Sequence, residues 1–188
     1  MVQGKKDAEV LRHKLIGLLP RLRRFSAVLA GNRTACDKLL RAACEKMLGG
    51  MHAYQRGTAF DRWAFASMYA LWLDSLRDHT EPMTQGKGDE DLFHAAFAGA
   101  DGRKSETAAT AAALANLPPQ QRCALLLIYG EGFSYDDAAQ ILDAPTHTVV
   151  ERAVRALSSV IERGELMGGH GVSGAQIESL YPRKRRAG

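Results

Sequence analysis

Cysteine is scarce in this chain of 188 residues: Cys36, Cys44 and Cys123 are odd in number and no two stand in Cys-x-x-Cys spacing. That argues against both a disulfide framework and a zinc site, and leaves the cysteines as small buried apolar groups. The six histidines are scattered, without a helical His-x-x-x-His pair, so no metal and no cofactor is expected. No uninterrupted apolar run approaches the roughly 20 residues that cross a bilayer. The start, Met1 to Val10, is polar rather than a secretory leader. These absences predict a cytoplasmic protein with no membrane insertion. There is also no phosphate-cradling glycine loop, no nucleophile elbow and no paired His and carboxylate motif, so no enzymatic activity is expected.

What remains is a helix-forming sequence whose hydrophobic content of 46% is ample for cores. Leu15, Leu18, Leu19, Leu22, Phe25 and Leu29 outline one amphipathic helix, which Pro20 either kinks or opens and Gly31 closes. A second helix is predicted from Thr34 to Leu48, with Cys36, Leu39, Leu40, Ala43, Cys44 and Met47 buried. A third starts near Asp61 and carries Phe65, Met68, Trp72 and Leu76 on one side. Together they predict a small bundle over residues 1–80. Residues 81–106 hold Pro82, several glycines and mixed charge without a sustained period, and read as a flexible linker with a short turn around Leu92 to Phe97. A second unit is expected over 107–167, followed by a disordered basic tail over 168–188 that includes Arg183, Lys184, Arg185 and Arg186. The net charge of +4 is spread unevenly, with the stretch Arg12 to Arg24 basic and Glu81 to Glu106 acidic, so phosphate attraction is plausible at both ends.

The stretch from Leu117 to Arg163 has the order of a helix-turn-helix. Pro118 and Pro119 fit the open first turn of a helix, the run Cys123 to Tyr129 supplies its buried face, and Gly130 and Gly132 end it. Ser134 lies three residues before Asp137, a capping-box-like start for a short helix with Tyr135, Ala138, Ala139 and Leu142 on one side. Asp143 tolerates a left-handed turn and Pro145 prevents the short helix from continuing. Thr146 is then the expected N-cap of a longer helix whose Val149, Ala153, Ala156, Leu157 and Val160 recur at helical spacing. His147, Thr148, Glu151, Arg152 and Arg155 are left on the outer face, where they could meet DNA. The same pattern also fits an ordinary helical hairpin, because period and caps alone do not distinguish the two.

Two stretches carry a family resemblance. Leu117-Pro-Pro-Gln-Gln-Arg122, Ala124-Leu-Leu-Leu-Ile128 and the run from Glu131 to Leu142 resemble region 4 of the extracytoplasmic-function (ECF) sigma factors of bacteria. Leu18-Leu-Pro-Arg-Leu-Arg-Arg-Phe25 with Gly31, Ala42-Ala-Cys-Glu45, Tyr54-Gln-Arg-Gly-Thr58 and Leu71-Trp-Leu-Asp-Ser-Leu-Arg77 are similar to region 2 of that family. The resemblance implies an all-α protein of two small helical bundles joined by a linker, the C-terminal one a helix-turn-helix. It implies RNA polymerase core and promoter DNA as partners, with an anti-sigma protein as a further candidate.

Under that resemblance His147, Thr148 and Glu151 read base edges of the −35 element while Arg152 and Arg155 hold phosphates. Tyr69 and Arg77 on the third helix serve the −10 element by stacking and phosphate contact, ahead of Trp63 and Trp72. Asp37, Leu40 and Glu45 form the polymerase-docking face. The chain departs from the family's pattern where Lys38, Arg41 and Ala42 replace acidic or amide residues, at Ala66, Ser67, Tyr69 and Ala70 of the third helix, and at Val150 and Glu151 of the recognition helix. These departures motivate a second expectation: a degenerate sigma-like regulator that binds an anti-sigma protein or polymerase without opening promoters.

Overall fold

Helix α1 (Val2–Ala30) forms because Leu15, Leu18, Leu22, Phe25 and Leu29 fall on one stripe, all of them buried. The computed structural model describes residues 2–50, 54, 59–77 and 113–168, with side chains over 9–50, 54, 59–77 and 113–162. Pro20 lies inside α1 and does not end it. It sits on the exposed side, where water can satisfy the carbonyl that its missing N–H leaves free. Gly31 stops the helix by adopting φ of 71°, with its N–H donating to the Ala27 carbonyl at 2.9 Å.

The side chain of Asn32 accepts from the Ala35 N–H at 2.8 Å and so starts α2 (Arg33–Gly49). Cys36, Leu39, Ala43 and Met47 form its buried face, while Leu40 and Cys44, expected among them, are only half-buried because they lie at the margin of the stripe. Helix α3 (Phe60–Arg77) buries Phe60, Ala64, Phe65, Met68, Tyr69 and Trp72. Leu76 departs from the expected face: it is 39% exposed, since the bundle no longer covers the last turn. Phe25 and Phe65, ring centroids 5.0 Å apart, tie α1 to α3.

In the second unit, Pro118 and Pro119 lead into α4 (Pro119–Leu125), which widens into a π-type turn over Leu126–Gly130. The Glu131 N–H reaches the Leu126 carbonyl at 2.8 Å, the Phe133 N–H reaches that of Leu127 at 2.9 Å, and Gly132 takes φ of 73°. This exit turns Glu131 and Phe133 back toward the first bundle. Ser134 caps α5 (Tyr135–Ile141): its hydroxyl accepts from the Asp137 N–H at 3.0 Å and donates to the Asp137 carboxylate at 2.7 Å. Asp143 makes the tight turn at φ of 44°.

Helix α6 (Thr146–Gly168) follows. Thr146 does not cap it as expected. It is already the first helical residue, and its hydroxyl donates to Asp136 of α5 at 3.0 Å, because Pro145 precedes it and offers its carbonyl to the Val149 N–H.

Every regular element among the described residues is helical, and the two units do not stand apart. One apolar core runs from Leu15, Phe25 and Phe65 of the first to Leu127, Ala138, Ile141 and Val149 of the second. The expected linker, the turn around Leu92 to Phe97 and the basic tail beyond Gly168 lie outside the described residues. Because the Ser134 cap is exposed and local, Ser134→Ala should cost about 1 kcal/mol without altering the fold. Chemical denaturation checks this, and an unchanged midpoint would show that the hydroxyl does not hold α5.

Candidate nucleic-acid interface

The recognition candidate is α6, set by its buried stripe Val149, Ala153 and Ala156. That packing leaves His147, Glu151 and Arg155 exposed in one row, with Thr148 and Arg152 half-buried beside them. Glu151 and Arg155 lie one turn apart and pair at 3.7 Å, with side chains 62% and 71% exposed, so solvent screens the pair and either group is available to a ligand. The Thr146 hydroxyl on Asp136 fixes the start of this row against α5. An open depression at the turn is lined by Asp136, Gln140, Asp143 and Thr146 among others, and its two carboxylates make it a poor cradle for phosphate.

On α2, the outward face is mixed in charge. Asp37 receives a hydrogen bond from Arg23 at 3.1 Å and Glu45 pairs with Arg41 at 3.3 Å, all four exposed, with Leu40 half-buried between them and Lys38 exposed beside Asp37. A partner docking here meets acids already flanked by arginines.

On α3, the structure separates the candidates. Arg77 is exposed and lies 3.8 Å from Asp74. Tyr69 is 4% exposed, packed beside Trp72 at 5.6 Å, and has Cys123, Arg152 and Asp143 of the second unit as electrostatic neighbours. In this arrangement Tyr69 cannot stack on a base. Trp72 is buried as well, and among the described residues its indole N–H has no acceptor. The more open aromatic group is at the start of α3, where Tyr54, Phe60 and Trp63 meet with centroids 5.4 Å apart.

Sequence reasoning missed the seam between the units. The Glu131 side chain, 1% exposed, accepts from Arg21 Nε at 2.6 Å and Arg24 Nε at 2.9 Å, while Arg24 Nη2 lies at 2.7 Å. The Arg21 guanidinium also stacks 5.3 Å from the Phe65 ring and 5.4 Å from that of Phe133, and these rings meet edge-on at 5.2 Å. At the edge of the seam, Arg62 donates to Asp137 at 2.8 Å. Hydrogen bonding from Ser134, then from Arg62, holds the Asp137 carboxyl below its usual range against a partial burial cost. No local signal marks these partners, since Arg21 and Glu131 are 110 positions apart.

Among the described residues no helix is long and apolar enough to cross a membrane, and no three His, Cys, Asp or Glu side chains are grouped to hold a metal.

Residues 108–160 match the family described as Sigma-70, region 4, which covers α4 to most of α6. The chain is 30% identical over 158 residues to the ECF RNA polymerase sigma factor EcfG of Rhodopseudomonas palustris, covering 80% of this chain and 82% of that one. It is 27% identical over 147 residues to the ECF RNA polymerase sigma factor SigE of Mycolicibacterium smegmatis, covering 72% and 54%. Its fold is similar to a chain in the co-crystal structure of the sigma factor RpoE with the anti-sigma factor NepR from Bartonella quintana, with a TM-score of 0.67, 22% identity and coverage of 83% and 97%. It is also similar to a chain in the PhyRSL–NepR complex from Sphingomonas sp. Fr1, with a TM-score of 0.61, 25% identity and coverage of 84% and 90%. A helix-turn-helix with an outward polar row, docked on a three-helix bundle, is the architecture of a sigma-type transcription factor. The chain belongs to the ECF RNA polymerase sigma factors.

Burial in the seam has a pH consequence. Burial is the main cause that pushes the Tyr69 phenol from 10.0 up to about 12, and burial likewise lifts the Cys123 thiol from 9.0 to about 12. Both are acids kept neutral by folding, so their stabilisation is complete below their unfolded values and is lost as pH climbs from 9.0 toward about 12. Thermal melts between pH 8 and pH 11 should show the parent chain losing stability more steeply than Cys123→Ala. Parallel curves would remove Cys123 from the alkaline transition.

Proposed function

We propose that this chain directs promoter-specific initiation by binding the RNA polymerase core and reading the −35 element with α6. The observation that carries this reading is the exposed row His147, Glu151 and Arg155 on a helix whose opposite face is locked into the core. With the start of α6 in the major groove, His147, Thr148 and Glu151 read base edges, and Arg152 and Arg155 neutralise phosphates. The first bundle docks on polymerase through Asp37, Leu40 and Glu45, and Tyr69 and Arg77 serve the −10 element once α3 is accessible. The chain works in the cytoplasm and does no bond chemistry itself; catalysis belongs to the polymerase.

A second reading is a sigma-like regulator that binds polymerase or an anti-sigma protein without opening promoters. The mixed-charge face of α2 and the burial of Tyr69 favour it. Core-polymerase binding followed by run-off transcription separates the two: stable binding with no transcript on permissive promoters would replace the first reading by the second. In the same assay Lys38→Asp should strengthen core binding if α2 is the docking face, because it restores an acid beside Asp37. Unchanged affinity would move the docking face elsewhere.

The DNA-reading residues are tested separately. Arg155→Ala should weaken binding about equally on all sequences and lower the salt slope by about one. Glu151→Ala should relax preference at one or two positions by roughly 1 to 3 kcal/mol. Selection of the same consensus by the Glu151 variant would make that residue a solvated helix position.

A further inference from the structure

The seam takes a candidate contact residue of the first bundle out of reach. Tyr69 of the first bundle is buried against it, and Arg152 of α6 is half-buried, close enough to Tyr69 and Cys123 to influence the ionisation of both. The elements that make the seam are α1 and α3 on one side, and α4, its π-type exit and α5 on the other. Closure and engagement of DNA by α3 therefore compete for the same surface.

We propose that this seam is a self-inhibiting latch, in which Glu131 seated between Arg21 and Arg24 holds the free chain closed and must be released for the chain to load onto polymerase and promoter. The inference rests on the sigma reading above.

Three features of the seam suit a releasable contact better than a permanent one. An ionic cluster is set into the apolar seam: the Glu131 side chain is buried, but Arg21 and Arg24 remain 29% and 34% exposed, so water reaches the guanidiniums and can take over all three groups once the units part. A buried ion pair that is solvated as a whole on opening contributes little net stability, whereas loss of a single partner is costly because the other charge is stranded. The second ion pair, Arg62 with Asp137, is 25% and 36% exposed and adds alignment more than strength. Finally, the buried Trp72 indole N–H lacks an acceptor among the described residues, so the closed arrangement holds an unsatisfied polar group of α3 beside Tyr69.

The acid that closes the latch is presented by the backbone. The π-type turn and Gly132 at φ of 73° aim Glu131 and Phe133 at α1 and α3, where Phe133 packs on Phe65 and flanks Arg21. The latch thus lies at the entrance to the helix-turn-helix, and its release leaves α5 and α6 intact.

The test uses the full chain and two variants, Glu131→Gln, which removes the central charge at nearly constant volume, and Arg62→Ala, an edge change that leaves both cores untouched. Small-angle X-ray scattering reads the radius of gyration, and equilibrium binding reads affinity for core polymerase. Both variants should be more expanded than the parent and bind core polymerase more tightly, Glu131→Gln by roughly 5-fold or more, the low end of ordinary coupling between two conformational states. Variants as compact as the parent would overturn the latch. Expansion without tighter binding would overturn its inhibitory role. If neither the parent nor either variant binds core polymerase, the sigma reading falls and takes the inhibition with it, whereas equal binding by all three overturns the latch alone.

Discussion

A carboxylate buried between two arginines organises this molecule. The Glu131 side chain is 1% exposed and would be untenable in an apolar seam without compensation; Arg21 and Arg24 supply it through charge-assisted hydrogen bonds of 2.6 to 2.9 Å. Much else follows from seating that group. The wide turn after α4 lets the chain leave toward α1, the left-handed conformation of Gly132 completes the reversal, and Phe133 lands on Phe65. The helix-turn-helix is thereby held at one orientation relative to the first bundle. Its outer row on α6 is turned to solvent, while Tyr69 of α3 is covered.

The two nucleic-acid faces expected of an ECF sigma factor are consequently in different conditions within one structure. The −35 candidate is set out as a row of exposed polar side chains whose scaffold is complete, needing no rearrangement to be reached. The −10 candidate has Arg77 outside and Tyr69 inside, so it is only half displayed. The candidate polymerase face on α2 is displayed but partly neutralised by Arg23 and Arg41.

Much of the fold was legible along the chain because the relevant signals are local. Ser134 before Asp137 marked the start of α5, Gly31 marked the end of α1, and Asp143 occupies the left-handed turn that its side chain tolerates. Cys36, Leu39, Ala43 and Met47 fell on the buried face that their spacing implied. Where the reading went astray, the competing influence was tertiary or stereochemical. Leu76 runs past the cover of the bundle, and Thr146 spends its hydroxyl on Asp136 rather than on its own helix.

The site was legible to a different depth on its two sides. The sequence by itself determined the helices, their caps and the outward row His147, Glu151 and Arg155, because a period of 3.6 residues and side-chain chemistry act within a few turns of backbone. Tertiary structure alone decided that Tyr69 is covered, that Arg152 is half-buried in its electrostatic neighbourhood, and that Glu131 lies between Arg21 and Arg24. No local pattern encodes a contact across 110 positions; it exists only when two amphipathic units bury their faces together and a stranded charge on one must find its counter-charge on the other.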